Sequence, residues 1–396
     1  TQVGPSPPHT YDMAKSAEGS MKLKMMAFLA RCSKICQSTP FPLGGVKSDT
    51  RDASWAGKQD ADGKAAVDQK GPNGGGTRVK LLKRPVAEIK KTDFEVVTDK
   101  VPEPEPGQVL IKHILISLDP THRLWMSDQP QYMACVGLGT VMRAGAVGKV
   151  VKCPSGKFKE GDYVSCQGGV QEYSVCPEAM VMPVIPGVPL SMNHSLFNPV
   201  IGLTAWVGMN ILEPKPGQTM VVSGAAGAVG NVAAQLGKAR GMKVVGIAGG
   251  AKKVQWLKDV LKLDDAIDYR GEGVAAGLAR CCPEGVDAYF ENVGGETLET
   301  ILTKMNRFGR IAYCGHISGY NSESAPVSVN QFQMILMRRI KIQGFICLDH
   351  LKEMMACMGE LLDLYVQGKL IVQEDIQATA LENYVDTVNM LYTSKN

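Results

Sequence analysis

The pattern of hydrophobic and polar positions divides the chain into three parts. Residues 1–76 are rich in Gly, Ser, Lys, Asp and Pro, and residues 57–76 have the composition of a flexible linker. From Thr77 short apolar segments are separated by Pro and Gly, and near residue 200 apolar segments begin to alternate with amphipathic ones. The pattern therefore predicts a disordered N-terminal extension followed by two regions of different secondary structure.

The region from Thr77 to about residue 198 is predicted to be rich in β-strands. RVKLLKRP, FEVVTDKVP and GQVLIKHILISLDP, all within residues 78–120, have the apolar content and the Pro/Gly boundaries of strands. VGKVVKCP and GDYVSCQGGVQEYSVCP, within residues 147–177, continue the same style. Short strands with bends favour a barrel over a sandwich.

The region after residue 200 is predicted to be a doubly wound α/β domain. Strand-like segments at 219–225, 243–250, 266–270, 286–295 and 310–316 alternate with helical segments at 228–241 and 252–263 and with a helix carrying Leu298, Ile301, Leu302 and Met305. This alternation is typical of a parallel sheet of the Rossmann type. After KIQGFI (341–346), residues 351–370 and then Leu381 to Tyr392 have the pattern of two further helices.

A glycine-rich turn joins the first strand of this region to its first helix. SGAAGAVG (223–230) places glycines at 224, 227 and 230, directly after a strand and at the start of a helix. Such a turn lets backbone N–H groups approach a pyrophosphate, and the helix N-terminus favours the anion. The segment predicts a dinucleotide site; the alternative is a turn that merely packs tightly.

The end of the second strand indicates which dinucleotide is bound. An NAD site usually places Asp or Glu there, but this chain has Gly249 and Gly250, followed by Lys252 and Lys253, with Arg270 just after the third strand. The absence of an acidic residue at this position and the presence of nearby cations suit a 2′-phosphate, so NADPH is the expected cofactor. The alternative is that both lysines belong to a solvated first helical turn.

Composition narrows the remaining function classes. The 396 residues are 44% hydrophobic and 21% charged, which is sufficient for two globular domains and a tail. The formal net charge is +4 and no basic run is interleaved with aromatic residues, so no nucleic acid partner is expected. Apolar stretches are interrupted well before the ~18 residues that a membrane span needs, so no membrane partner is expected.

The eleven cysteines have no metal-binding spacing. The chain contains no CxxC pair and no His cluster near a cysteine; Cys281 and Cys282 are adjacent, and the others are dispersed. We therefore expect free thiols and no metal site.

The N-terminal extension contains a segment with the composition of a targeting signal. Met21 to Phe41 carries Lys and Arg but no acidic residue, and mixes Ser, Cys and apolar residues as an organelle transit peptide does. The alternative is an extension that carries no targeting signal. The expected location is the cytoplasm, or an organelle if the segment is a transit peptide.

Seven motifs, in order, resemble one known family. They are ILISLDPTHRLWMSDQPQYM (114–133), GTVMRAGAVGKVV (139–151), GDYVSCQGGVQEYSV (161–175), GLTAW (202–206), SGAAGAVG (223–230), ENVGGE (291–296) and GRIAYCGHISGYN (309–321). From about Thr77 to its end the chain resembles the leukotriene B4 dehydrogenase/prostaglandin reductase family of zinc-free medium-chain dehydrogenases/reductases, which includes alkenal double-bond reductases and curcumin reductase. The resemblance implies a GroES-like β-barrel substrate domain (77–198 and 346–396), a Rossmann domain (199–345) and a homodimer.

The resemblance also implies roles for individual residues. Gly227 to Gly230 would hold the pyrophosphate, Lys253 the 2′-phosphate, and Asn292 the cofactor ribose. Cys314 through Tyr320 would form the loop beside the nicotinamide. The full set of implied cofactor contacts is Thr204, Gly227, Ala228, Val229, Gly230, Lys253, Tyr269, Asn292, Cys314, Gly315, His316, Ile317, Ser318, Tyr320, Phe345, Ile346 and Asn396.

Two positions depart from the family pattern. The family normally continues past the asparagine that matches Asn396 with a short strand, whereas this sequence stops there. Met337 stands where some relatives place a tyrosine, which affects the details of the predicted substrate pocket.

The missing zinc motifs direct the predicted chemistry. The chain lacks the Gly-His-Glu motif and the four-cysteine lobe of the zinc-dependent relatives, so conjugate reduction is favoured over alcohol oxidation. NADPH would reduce the carbon–carbon double bond of an enal or enone, and a hydroxyl donor would stabilise the enolate. The candidates are Tyr320 and, second, Tyr132. The alternatives are an NADPH quinone reductase and a non-catalytic NADPH-binding protein.

Overall fold

The computed structural model describes residues 74–322 and 329–396. The predicted transit peptide at 21–41 lies outside the described residues. Within them, no helix combines the length and the apolar character that crossing a membrane requires.

The first region forms two antiparallel sheets. The two-stranded sheet pairs β1 with β2, and the five-stranded sheet has the order β6-β3-β4-β5-β7. Alternating apolar residues of β3, β4 and β5 point inward and form a core with Val109, Ile111 and Val164. The strands are β1 (Gly76–Leu81), β2 (Phe94–Asp99), β3 (Gln108–Ile116), β4 (Ala146–Lys152), β5 (Tyr163–Cys166), β6 (Tyr173–Pro177) and β7 (Met182–Pro183).

The second region forms a six-stranded parallel sheet, which confirms the predicted α/β fold class. The strands at its centre are nearly continuous apolar runs because both of their faces are buried. The strands of this sheet are β8 (Thr219–Ser223), β9 (Lys243–Ala248), β10 (Asp265–Asp268), β11 (Val286–Glu291), β12 (Met305–Tyr313) and β13 (Lys341–Gly344).

The helices of the described residues connect these strands or return the chain to the first region. They are α1 (His122–Trp125), α2 (Leu190–Ser195), α3 (Thr204–Ile211), α4 (Ala228–Ala239), α5 (Ala251–Asp259), α6 (Val274–Cys281), α7 (Gly295–Lys304), α8 (Gln333–Arg338), α9 (Met354–Val366) and α10 (Tyr384–Thr393). α10 packs its Val385 and Val388 against Val79 and Leu81 of β1. The C-terminal helix thereby returns to the first region, while the domain boundaries stay a prediction.

The strand order determines where a ligand can bind. The parallel sheet runs β10-β9-β8-β11-β12-β13, so the chain order reverses between β8 and β11. In sheets of this kind, ligands bind outside the carboxyl ends of the strands at that reversal. The carboxyl ends here are Ser223 and Glu291.

Two local features differ from the sequence-based expectation. Met305 does not belong to the helix but is the first residue of β12, where it is paired with Val286. Met305 continues the apolar spacing of α7, so the sequence pattern included it in that helix. Its pairing with Val286 places it in the strand instead. The long helix predicted for 351–370 is α9, Met354–Val366, preceded by a 3₁₀ segment at Cys347–Glu353.

Candidate active site at the reversal of the parallel sheet

The glycine-rich turn has the backbone geometry that a pyrophosphate site needs. Gly224 has a positive φ of 58°, which strongly favours glycine. A Cβ atom at Gly230 would collide with the carbonyl oxygen of Gly224, so α4 can lie this close to the turn only with glycine there. Gly227 is the N-cap of α4, and the N–H groups of Ala228, Val229 and Gly230 belong to the first turn of the helix, where no carbonyl group of the helix can accept them. These groups fit a bound diphosphate.

Two cations converge beyond the end of β9. The ring of Tyr269 packs on Gly249, where an added Cβ would lie 2.8 Å from it, so a side chain at that position would displace the ring. Lys253 Nζ donates to the carbonyl oxygen of Ser394 at 3.3 Å, and Arg270 Nη2 donates to the preceding carbonyl oxygen at 3.3 Å. Burial lowers the pKa of Lys253, and the positive charge of Arg270 adds to that decrease. Two cations held this close suit the doubly charged 2′-phosphate of NADPH.

A buried side-chain network joins the glycine-rich turn to the end of β11. Ser223 Oγ donates to Glu291 Oε1 at 2.9 Å and accepts the backbone N–H of Asn292 at 2.9 Å. Burial raises the pKa of Glu291, and the backbone N–H groups of Val293 and Gly294, which also donate to Oε1, oppose that shift. The Asn292 amide donates to the Ser223 carbonyl oxygen at 2.7 Å. The implied contact of Asn292 with the ribose would therefore use its Oδ1 atom or the second hydrogen of its Nδ2 atom.

Hydrogen bonds attach the loop 314–320 to the end of β11 and the turn that follows it. The N–H groups of Cys314 and Gly315 donate to the Glu291 carbonyl oxygen at 2.9 and 3.1 Å. Ile317 N–H donates to the Asn292 carbonyl oxygen at 3.1 Å, and the Ser318 hydroxyl donates to the carbonyl oxygen of residue 293 at 2.6 Å. The whole predicted nicotinamide loop is thus held by one short segment at the sheet reversal.

Tyr320 ends this loop with its hydroxyl turned back toward the loop backbone. A Cβ at Gly315 would lie 3.0 Å from the hydroxyl oxygen. The ring stands edge-on to the His316 ring at 5.0 Å between centroids. Burial raises the pKa of Tyr320 to about 12, so its hydroxyl keeps its proton near neutral pH and remains a hydrogen-bond donor. Burial lowers the pKa of His316, whose ring is therefore neutral at that pH.

The Tyr132 hydroxyl already has two hydrogen-bond partners. Trp125 Nε1 donates to the Tyr132 hydroxyl at 2.8 Å, and the hydroxyl of Thr121 lies 2.7 Å away. Tyr132 can donate to a substrate only when Thr121 acts as the donor in their bond. This geometry favours Tyr320 as the enolate donor.

The other predicted contacts are distributed around the same edge of the sheet. Thr204 is the first residue of α3, and its hydroxyl also interacts with the thiol of Cys347. The Phe345 ring stands edge-on to Phe290 at 6.3 Å between centroids, so part of it serves as core packing. Ile346 follows directly and is half-buried, whereas Asn396 is exposed. Their contacts with a cofactor stay predictions.

Several residues of the site received no role from the sequence. Ser223 and Glu291 lie within quoted motifs, and the signal that could have found them is their place at the ends of two adjacent strands. Arg270 was noted as a cation without being assigned to the site. Among residues 74–322 and 329–396, no group of three or more His, Cys, Asp or Glu side chains could hold a metal ion.

Two sequence profiles match the chain in the positions of its two regions. Residues 77–184 match the family described as the N-terminal domain of oxidoreductase, and residues 228–363 match that described as zinc-binding dehydrogenase. The NADPH-dependent curcumin reductase of Escherichia coli is 35% identical over 327 residues, covering 80% of this chain and 93% of the relative. The NADP(+)-dependent 2-alkenal reductase of Nicotiana tabacum is 35% identical over 315 residues, covering 78% and 91%.

A solved structure agrees with the same assignment. The crystal structure of CurA from Vibrio vulnificus in complex with NADPH matches with a TM-score of 0.76 and 34% identity, over 81% of this chain and 96% of that one. The two regions, the strand order and the glycine-rich turn are therefore those of a recognised group. The chain belongs to the zinc-free medium-chain dehydrogenase/reductase family, in the branch that contains the curcumin, 2-alkenal and prostaglandin reductases.

Proposed function

We propose that the protein is an NADPH-dependent reductase of the carbon–carbon double bond of α,β-unsaturated aldehydes and ketones. The observation that carries the proposal is the protonated hydroxyl of Tyr320, held on a loop that hangs from the end of β11 beside the glycine-rich turn. Relatives at 35% identity are named for curcumin and 2-alkenal reduction, which supports the same substrate class.

The residues of the site would each carry part of the reaction. Gly227 to Gly230 would bind the pyrophosphate, and Lys253 with Arg270 the 2′-phosphate. NADPH, when bound, supplies hydride to the β-carbon of the substrate, and negative charge develops on its carbonyl oxygen. Tyr320 would donate a hydrogen bond to that oxygen, a contribution of about 3 kcal/mol when well placed.

The first experiment follows NADPH consumption by the purified protein with a medium-chain 2-alkenal, the enone benzylideneacetone and a quinone. We expect turnover of the alkenal and the enone, with the saturated carbonyl compound as product by mass spectrometry and little turnover with NADH. Turnover of the quinone alone would identify a quinone reductase. NADPH binding with no turnover of any of the three would identify a non-catalytic binding protein.

The quaternary structure proposed with this function is a homodimer that pairs through β13. β13 is the last strand of the parallel sheet, and all four of its residues are exposed. An unpaired strand edge offers N–H and C=O groups to a second copy, and the exposed side chains of Leu336 and Met337 flank it. Light scattering after size-exclusion chromatography should give twice the chain mass, and Ile342→Lys, which places a charge on this exposed edge, should shift it toward the monomer.

A further inference from the structure

The guanidinium group of Arg143 carries a buried donor that nothing in the described chain accepts. Its Nη1 atom is buried and has no hydrogen-bond partner among residues 74–322 and 329–396. Arg143 lies over the Trp125 ring, 5.3 Å from the ring centroid. The ring offsets part of the cost of burying the charge, but it offers no oxygen atom to the guanidinium donors. Burial lowers the pKa of Arg143, though arginine remains charged at neutral pH.

A second arginine of the first region, Arg84, has hydrogen-bond acceptors for its guanidinium group. Arg84 donates to the carbonyl oxygens of Met126 and Val136 at 2.6 and 3.2 Å. It also lies 3.6 Å from the carboxylate of Asp128. Arg143 has no ion pair of this kind in the described part of the chain. Arg84 therefore has acceptors for its guanidinium donors, whereas Arg143 Nη1 has none among residues 74–322 and 329–396.

Arg143 is connected through Trp125 to Tyr132, the second candidate for the enolate donor. Trp125, which carries Arg143 on its ring, donates to the Tyr132 hydroxyl at 2.8 Å. The neighbouring His122 cannot contribute positive charge at neutral pH, because burial and the charge of Arg143 lower its pKa to about 3. Among residues 74–322 and 329–396, the Arg143 guanidinium thus has no ion-pair partner, and it lies on the ring of the Trp125 that donates to Tyr132.

We propose that Arg143 determines substrate specificity by binding an anionic oxygen, a carboxylate or a phenolate, that the substrate carries away from its reacting double bond. The inference rests on the proposed function and names its substrate class as acidic enones and enals. A guanidinium binds a carboxylate through paired N–H donors, and a buried donor gains most from such a partner. Because the contact is remote from the reacting atoms, it would be made in the ground state and the transition state alike.

The test compares three forms of benzylideneacetone that differ only in the para substituent: carboxylate, carboxamide and hydroxyl. The readout is the ratio of kcat/KM for the carboxylate to kcat/KM for the isosteric carboxamide, measured within each enzyme. Arg143→Met should lower this ratio about 10- to 100-fold, mainly through a higher KM, because a charge-assisted bond is lost. Arg143→Lys should retain part of the preference, and Tyr320→Phe should lower kcat for all three without changing the ratio.

Binding gives a second readout that does not depend on turnover. Calorimetry with the saturated carboxylate and carboxamide ketones, on the enzyme loaded with NADP+, should show a carboxylate preference that Arg143→Met abolishes. Preferential binding that Arg143→Met removes, without turnover of any enone, would support this inference and overturn the proposed function. Turnover with equal ratios in the parent and Arg143→Met would overturn the inference and leave the function standing. If the ratio of kcat/KM for the hydroxyl form to kcat/KM for the carboxamide rises as pH increases, the phenolate is the preferred anionic oxygen.

Discussion

The Ser223 hydroxyl donates a 2.9 Å hydrogen bond to Glu291 Oε1 and so joins the carboxyl ends of β8 and β11. Both residues are fully buried. These two strands are the ones between which the chain order reverses, so this bond links the glycine-rich turn to the segment from which the Tyr320 loop hangs. The pyrophosphate site and the predicted enolate donor are therefore held by one network.

Removing that bond should weaken both the fold and cofactor binding. Ser223→Ala leaves Glu291 with one donor fewer in a buried position, so we expect a loss of about 1.5–3 kcal/mol in the free energy of unfolding. The Kd for NADPH should rise in the same variant. Urea unfolding and NADPH titration measure the two effects. Thr303→Ala is the control, because its exposed hydroxyl donates only within α7, and it should stay within about 0.5 kcal/mol of the parent; equal losses in both variants would contradict the prediction.

Tyr320→Phe should lower kcat for benzylideneacetone about 100- to 1000-fold, since it removes the donor to the developing oxyanion. NADPH affinity should change little. Tyr132→Phe is the matched control: its hydroxyl is held by Trp125 and Thr121, so we expect a loss of less than about tenfold in kcat. Steady-state kinetics of the two variants measure these losses. A larger loss of kcat in Tyr132→Phe than in Tyr320→Phe would identify Tyr132 as the enolate donor.

The two cations beyond β9 should decide between NADPH and NADH. Lys253→Ala and Arg270→Ala should each raise the KM for NADPH about 10- to 100-fold by removing a charge-assisted bond to the 2′-phosphate. The KM for NADH, which lacks that phosphate, should change much less. Lys252→Ala is the control, because Lys252 is exposed on the same helical turn. A similar rise for NADH in the first two variants would show that they damage the turn rather than phosphate recognition.

Asp119 should make stability depend on pH. Burial raises its pKa from 3.8 to about 6, so the folded protein binds this proton more tightly than the unfolded chain. Stability from this group is therefore present below about pH 4 and is lost as the pH rises through about 6, a change of about 3 kcal/mol. Asp119→Asn cannot ionise, and its advantage over the parent should grow over that interval.

Urea unfolding at several pH values tests this dependence. Asp386→Asn serves as the control, because its exposed carboxylate pairs with Lys91 on the surface and should change stability by less than about 1 kcal/mol. A difference between Asp119→Asn and the parent that stays constant from pH 4 to about pH 7 would contradict the prediction.

The elements that the sequence predicted well are those with a strong local signal. The strand before Gly224 and the helix after Gly227 follow from apolar periodicity and glycine spacing, which are properties of a few neighbouring residues. Met305 was assigned to the wrong element because its apolar spacing suits a helix and a strand equally. Its pairing with Val286 decided the outcome, and that partner is distant in sequence.

The sequence by itself determined the α/β class, the dinucleotide turn and the preference for NADPH, because each depends on residue types at short spacing. The loop that carries Tyr320 was implied by the family resemblance of its motif. Only the tertiary structure decided which tyrosine keeps a free donor and that Lys253 and Arg270 bind the carbonyl oxygens of Ser394 and Thr393. It also decided that Arg143 Nη1 has no acceptor among residues 74–322 and 329–396. Those outcomes depend on contacts between segments far apart in the chain. Burial changes the cost of every polar group, and it is set by the packing of the whole molecule.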